Sequence, residues 1–344
     1  MKNILILFFC ILILLIVSGC QKRDLASVDL ISITAVGDVN FGSDYSGYKT
    51  AQKNNRGFFK HCRKILRSAD IAFCNLETVV CEKGKPAKKE DGKNTFVFRC
   101  PPEFAGMIAD AGFDVVSIAN NHIRDFGVFG ENETKKNLEK NKIQFLSKDG
   151  KRAEFFIRGK SVCFTGFSSG FGKRSIVNSE EVFKEIRNLS ERYDILVVSF
   201  HAGAEGEKAL HTKNATEFFL GENRGNPVFL ARGAIDNGAD LILMHGPHVP
   251  RAIEIYKERL IAYSLGNFVN YGWSLNKYTG IAPLFWIELY PDGRLHGLKI
   301  YSFVQKKPGY PEFDRDFTAY KIIRELTEKD FNGTFVKFTE LEEK

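Results

Sequence analysis

Five apolar runs of this 344-residue chain end in side chains able to hold a divalent metal. ISITAV (31–36) leads to Asp38 and Asn40, and IAFC leads to Asn75 and Glu77. VVSIA leads to Asn120, Asn121 and His122, with Asp125 three residues on. ILVVSF leads to His201, and LILM to His245 and His248. Carboxylate oxygens, amide carbonyls and imidazole nitrogens are ligands for hard or borderline divalent ions. Two such ions about 3.5–4 Å apart can activate water and stabilise both oxygens of a displacement at phosphorus. Taken singly, each residue is more simply a turn asparagine, a solvated glutamate or a buried, hydrogen-bonded histidine. The recurrence at five strand ends is what points to a site.

The elements that must position these residues alternate. Strands are expected at 31–36, 70–76, 114–119, 194–200 and 239–244, and helices around 58–66, 131–141, 180–191 and 227–237. A further helix opens at Pro101-Pro102 and stops at Gly112. Hairpins follow from EFFIRGKSVCFTGF (154–167), from AIEIY and LIAYSL around Lys257-Glu258-Arg259, and from PLFWIELY and LHGLKIYSF around Pro291-Asp292-Gly293-Arg294. A last helix covers 317–328. In α/β sheets the carboxyl ends of parallel strands share one edge, where ligands bind. Alternating units followed by hairpins predict a mixed α/β domain, residues 30–340, with two packed sheets.

The N-terminus predicts a compartment. Lys2 and the apolar run Ile4–Val17 suit a signal peptide, being short for a membrane span. Val17-Ser18-Gly19-Cys20 resembles a lipoprotein lipobox, in which residues 1–19 are removed and Cys20 carries lipid. Residues 20–29 then form a tether to the membrane. Removing 1–19 takes away one charge, Lys2, and lowers the net charge from +7 to +6. A modestly basic surface fits anionic neighbours, whereas a Lys/Arg stripe with interleaved aromatics, the mark of nucleic-acid binding, is absent from the sequence. Five cysteines follow Cys20 without a CxxC spacing, which argues against a thiolate zinc site. Cys81 and Cys100 bracket a polar, lysine-rich segment that a disulfide could close in an oxidising compartment.

AVGDVNFG, NLETVV, SIANNHIRDFG, VSFHAGAEG, HGPHVPRAIEIY and LIAYSLGNF together resemble the CapA family of capsule and poly-γ-glutamate biosynthesis proteins, over roughly Ile31 to Phe303. That family falls in the calcineurin-like metallophosphoesterase superfamily, so the resemblance implies a four-layer α/β/β/α sandwich. It also implies divalent ions, two in number, drawn from Mn, Fe, Zn or Mg. Carried over by position, Asp38 and Asn40 match Asp-x-His, Glu77 the bridging acid, and Asn121 the amide ligand. His122 becomes the acid for the leaving group, oriented by Asp125. His201 matches the lone histidine ligand, and His245 and His248 the closing pair, with Met244 in place of a glycine. Arg224 and Arg251 are candidate anion clamps or salt-bridge partners, and Asn267 a candidate substrate contact or packing residue.

Two functions follow. One is a metal-dependent hydrolase of a phosphoester or a polymer amide bond, working outside the cytoplasm as a membrane-anchored lipoprotein alongside capsule-synthesis membrane proteins. The other is a non-catalytic accessory that guides an anionic polymer such as poly-γ-glutamate, using the lysines of 83–93.

Overall fold

The computed structural model of the protein describes residues 29–43, 45, 57–88, 96–170, 174–272 and 275–332. Residues 1–28, which hold the signal-peptide and Cys20 readings, lie outside that set, as do 89–95 of the lysine-rich segment. Among the described residues no helix is long and apolar enough to cross a membrane.

Two large mixed sheets face each other. In the first, Ile31–Asn40, Ile71–Leu76, Val115–Ser117 and Gln144–Leu146 run parallel, and Ile281–Leu289, Leu295–Lys306 and Tyr310–Phe313 extend it antiparallel. In the second, Lys160–Ser168, Ile195–His201, Leu241–His245 and Arg259–Ala262 run parallel, with antiparallel edges at Ala153–Ile157 and Ile253–Tyr256. The parallel strands are nearly continuous apolar runs because both of their faces are covered. Ile33, Phe73 and Phe285 of the first sheet meet Phe164, Val197 and Leu241 of the second in one core. The outer face of the first sheet packs on Phe104, Ala105 and Ile108 of helix Glu103–Ala111. That of the second packs on Val182 and Ile186 of Ser179–Ser190 and on Ala231 and Ala234 of Pro227–Asp236. The layers are therefore α/β/β/α, as the resemblance implies.

Local signals read from the sequence operate as expected. Gly112 ends its helix in a left-handed conformation, φ 104°. The hairpin turns at Arg158-Gly159 and Lys257-Glu258 both have positive φ at their two central residues. Three elements differ. The first strand runs on to Asn40, carrying Asp38 and Asn40 inside it. Around 58–66 only Arg63–Leu66 is helical, since Phe58 and Phe59 are drawn into the aromatic core in turns. Helix Gly127–Lys140 begins four residues before the expected Glu131. The ends of the 81–100 segment are joined by backbone: Val80 pairs in parallel with Cys100, Cys81 N–H donates to Cys100 O (3.0 Å), and the Cys81 thiol donates to Lys83 O.

Candidate metal centre

The end of the first strand is fixed by a close backbone approach. Asp38 N–H donates to Gly266 O at 2.8 Å, and a Cβ on Gly37 would lie 1.8 Å from that same oxygen. Only glycine fits at 37. This contact seats the short strand Asn267–Asn270 parallel to Ile31–Asn40, with Asp38 in register with Asn267 on one side and Asn75 on the other.

An amide relay then orients the Asp38 carboxylate. Asn120 Nδ2 donates to Asn75 Oδ1 (3.0 Å) and to Leu76 O, and Asn75 Nδ2 donates to Asp38 Oδ1 (2.8 Å). The other oxygen, Oδ2, is 2.9 Å from His248 Nδ1. Asp38, Glu77 and His248 each bring one ligand atom within 4.8 Å of the others. His248 holds a left-handed backbone, φ 60°, uncommon for a non-glycine residue and found where surrounding structure imposes it. Burial opposes charge on the His248 ring, but Glu77 and Asp38 overcome it and hold its pKa well above the usual histidine value. Burial, then Asp38, raises Glu77 well above the carboxylate range.

Three further acceptors are buried without a hydrogen-bond partner among the described residues: Glu77 Oε1, Asn121 Oδ1 and His201 Nε2. His201 Nε2 lies 3.7 Å from Glu77 Oε1. Orphaned buried acceptors are costly unless a cation or water completes them. Carboxylate, amide oxygen and imidazole nitrogen form a coherent donor set for a divalent ion, so these residues fit the implied metal.

Two expected ligands have other work. His245 sits behind His201, with Nδ1 to Nδ1 at 3.1 Å, and its Nε2 is 2.7 Å from Ser199 Oγ. Both ring nitrogens have neighbours within hydrogen-bond distance, which places His245 behind His201 and outside the Asp38–Glu77–His248 cluster. Burial keeps both rings neutral, lowering His201 well below the usual value and His245 to about 4. Asn40 lines the cleft, but its Oδ1 accepts Gly42 N–H at 2.9 Å in a turn.

His122 and Asp125 are joined as expected, His122 Nδ1 to Asp125 Oδ2 at 2.8 Å. The same oxygen accepts Phe98 N–H, and the Phe98 ring packs over His122 with centroids 4.2 Å apart. Burial lowers the His122 pKa against the opposing pull of Asp125. Lys88 closes this group, 2.6 Å from Asp125 Oδ1 and 3.2 Å from Asn121 O. One member of the lysine-rich segment thus serves the site rather than the surface.

The arginines are struts. Arg251 is 0% exposed and forks onto Glu217 at 3.0 and 2.8 Å, so it is closed to a ligand. Arg224, also buried, pairs with Glu205 and Glu222 at 2.8 Å each. Asn267 does line the cleft, its Oδ1 3.1 Å from His248 Nδ1. The whole forms a cleft of about 370 Å³ walled by Phe96, Phe98 and Phe219 besides the polar groups. Glu205, another wall residue, was not singled out from sequence. It stands four residues past His201, on the same strand-end turn, and the strand-end rule extended by one turn would have found it. Ser199 and Lys88 carry no such signal.

Four layers with carboxylates, imidazoles and amides gathered at the strand ends make this a metallophosphoesterase-like α/β protein. More particularly, the chain belongs to the bacterial capsule synthesis protein PGA_cap family, which it matches over residues 32–272. It is 30% identical over 326 residues to the PGA biosynthesis protein CapA of Bacillus subtilis, spanning 89% of this chain and 80% of that one. It is 28% identical over 263 residues to the capsule biosynthesis protein CapA of Bacillus anthracis, covering 73% of this chain but 62% of that relative's length. Among solved structures it is similar to a 5'-nucleotidase precursor from Thermus thermophilus, with TM-score 0.42 and 13% identity over 87% of this chain and 59% of that one.

Proposed function

We propose that the protein is a metal-dependent hydrolase of capsule or poly-γ-glutamate biosynthesis, held outside the cytoplasm by a lipid on Cys20. The observation that carries the catalytic reading is the triad of buried, unpartnered acceptors Glu77 Oε1, Asn121 Oδ1 and His201 Nε2 beside the Asp38–Glu77–His248 cluster. Two adjacent donor sets sharing Glu77 suit two ions. When bound, divalent ions supply Lewis acidity toward an ester or amide oxygen and acidify water. The chain supplies the rest. Asp38 is held by Asn75, and His201 is turned by His245 so that Nε2 faces Glu77. With Nδ1–H of His122 donated to Asp125, Nε2 is the atom that exchanges a proton with the leaving group. Phe96, Phe98 and Phe219 limit water around that exchange.

Metal content of a soluble form starting after Cys20, measured by mass spectrometry beside His201→Ala and His248→Ala, tests the reading. Two divalent ions per chain, reduced in both variants, with metal-dependent turnover of a phosphoester or glutamyl amide, are expected. Failure to retain any divalent ion after controlled reloading would overturn it.

A further inference from the structure

The His248 ring meets carboxylates at both of its nitrogens. Nδ1 faces the metal cluster, 2.9 Å from Asp38 Oδ2, 3.1 Å from Asn267 Oδ1 and 3.7 Å from Glu77 Oε2. Nε2 faces Glu205 Oε2 at 3.7 Å, an ion-pair distance longer than a hydrogen bond. Among the described residues no other acid lies that near to Nε2. Glu205 is held in place from behind. Its other oxygen, Oε1, accepts from Arg224 Nη2 at 2.8 Å, and Arg224 is 3% exposed and also paired with Glu222.

Backbone bonds set these positions. Ala202 N–H donates to His245 O and Gly206 N–H donates to Pro247 O, both at 2.9 Å. They clip residues 202–206 onto 245–247, and Glu205 and His248 each stand one residue from the second bond. Gly203 N–H donates to Arg224 O, also at 2.9 Å, which brings Arg224 to the same turn. Arg224, Glu205 and His248 therefore form a file that ends at Asp38 and Glu77.

An imidazole that binds a metal through one nitrogen is aimed by the group that holds a proton on the other. Asp38 and Asn267 both stand on the Nδ1 side, so neither can hold a proton on Nε2. We propose that Glu205 is a positioning residue for the metal centre. It keeps the proton of His248 on Nε2 and so presents the Nδ1 lone pair to an ion shared with Asp38 and Glu77. Glu205 itself lies outside the Asp38–Glu77–His248 cluster, and one of its oxygens is committed to Arg224. The assignment rests on the metal-binding reading above and adds a residue that gives the ion no ligand atom.

The test is the divalent-ion affinity of the intact soluble protein, read by competition with a metal-sensitive dye in a double-mutant cycle. Glu205→Ala is expected to bind about 10–100-fold more weakly than the parent, and His248→Ala more weakly still. Because Glu205 acts through His248, the double variant should be no weaker than His248→Ala alone. Glu205→Gln keeps the size of the side chain and one acceptor oxygen, so its affinity should fall between those of the parent and Glu205→Ala. In the zinc-loaded parent, NMR of the histidine nitrogens should place the His248 proton on Nε2. Additive losses in the cycle would make Glu205 a direct ligand and overturn the assignment. Parent-like affinity in Glu205→Ala, equal losses in the Gln and Ala variants, or a proton on Nδ1 of zinc-loaded His248 would overturn it as well. A parent that retains no ion would sink the metal reading itself, whereas a parent that binds metal with Glu205→Ala unaffected would sink this assignment alone.

Discussion

Nδ1 of His245 lies 3.1 Å from Nδ1 of His201, while the far nitrogen of His245 is 2.7 Å from the Ser199 hydroxyl. If His201 Nδ1–H donates to His245, His245 must carry its own proton on Nε2, and His201 Nε2 keeps a lone pair for the cleft. In that arrangement the Ser199 hydroxyl accepts from His245 Nε2–H, behind the cleft.

His245→Ala should therefore weaken metal binding about 10–100-fold without removing a ligand, as loss of an orienting partner does. His201→Ala should be the more severe change, and Ser199→Ala the mildest. Competition with a metal-sensitive dye gives the order. A complete loss in His245→Ala equal to that in His201→Ala would restore His245 to the ligand set.

Much of this site was legible in the strand ends, because a parallel sheet must present its carboxyl-terminal residues along one edge. Asp38, Glu77, Asn121, His201 and His248 are all among the residues that rule marks, and the family resemblance is what singles out Asn121 from its neighbour Asn120. What sequence could not show is which of two adjacent histidines faces forward. That depends on the pairing of Leu241–His245 with Ile195–His201, which sets His245 opposite His201. The arginines were illegible for a similar reason. The buried Arg251 is paired with Glu217, 34 residues away, which stands just before a hairpin with two-residue strands and no periodic pattern.

Breaking that pair gives a stability prediction. Arg251→Met leaves Glu217 without its fork, and Glu217→Gln leaves a fully buried guanidinium uncompensated. Loss of one partner of a buried pair costs about 3–5 kcal/mol. The double variant Arg251→Met/Glu217→Gln should recover part of that loss. Urea midpoints of the three variants check it; additive single-variant costs would argue against direct coupling.

Gly37→Ala should be among the worst single-methyl insertions in the molecule. Its Cβ would fall 1.8 Å from a backbone oxygen that cannot rotate away. Overpacking of this kind costs about 3 kcal/mol or more, and it would prise Asn267 away from Asp38. A parent-like melting curve with full metal content would contradict the role given to this contact.

Lys135 bridges Glu131 and Asp149, each at 2.8 Å. Burial works against ionisation of both acids, but Lys135 outweighs it for each, aided by Arg124 at Glu131 and by Ser147 at Asp149. Both pKa values are lowered, that of Asp149 to about 2. Folded-state values below the unfolded ones, about 4 for these groups, stabilise the protein above pH 4. That contribution is lost as pH falls through the folded values. The melting temperature of the parent should exceed that of Lys135→Met near neutral pH, with the gap closing between about pH 4 and 2. A pH-independent gap would assign Lys135 a packing role instead.

The bond between His248 and Asp38 spans 210 residues of sequence, and Asn267 completes the same cluster from further on still. No early folding unit can hold it. Closing loops of that length is slow, so the centre assembles only when both sheets and the late strand Asn267–Asn270 have come together. Metal binding is then linked to the folding of nearly the whole chain: an ion that binds only the finished cluster stabilises every element that must be in place first. Metal supply would show itself as resistance of the entire protein to unfolding and proteolysis, well away from the cleft.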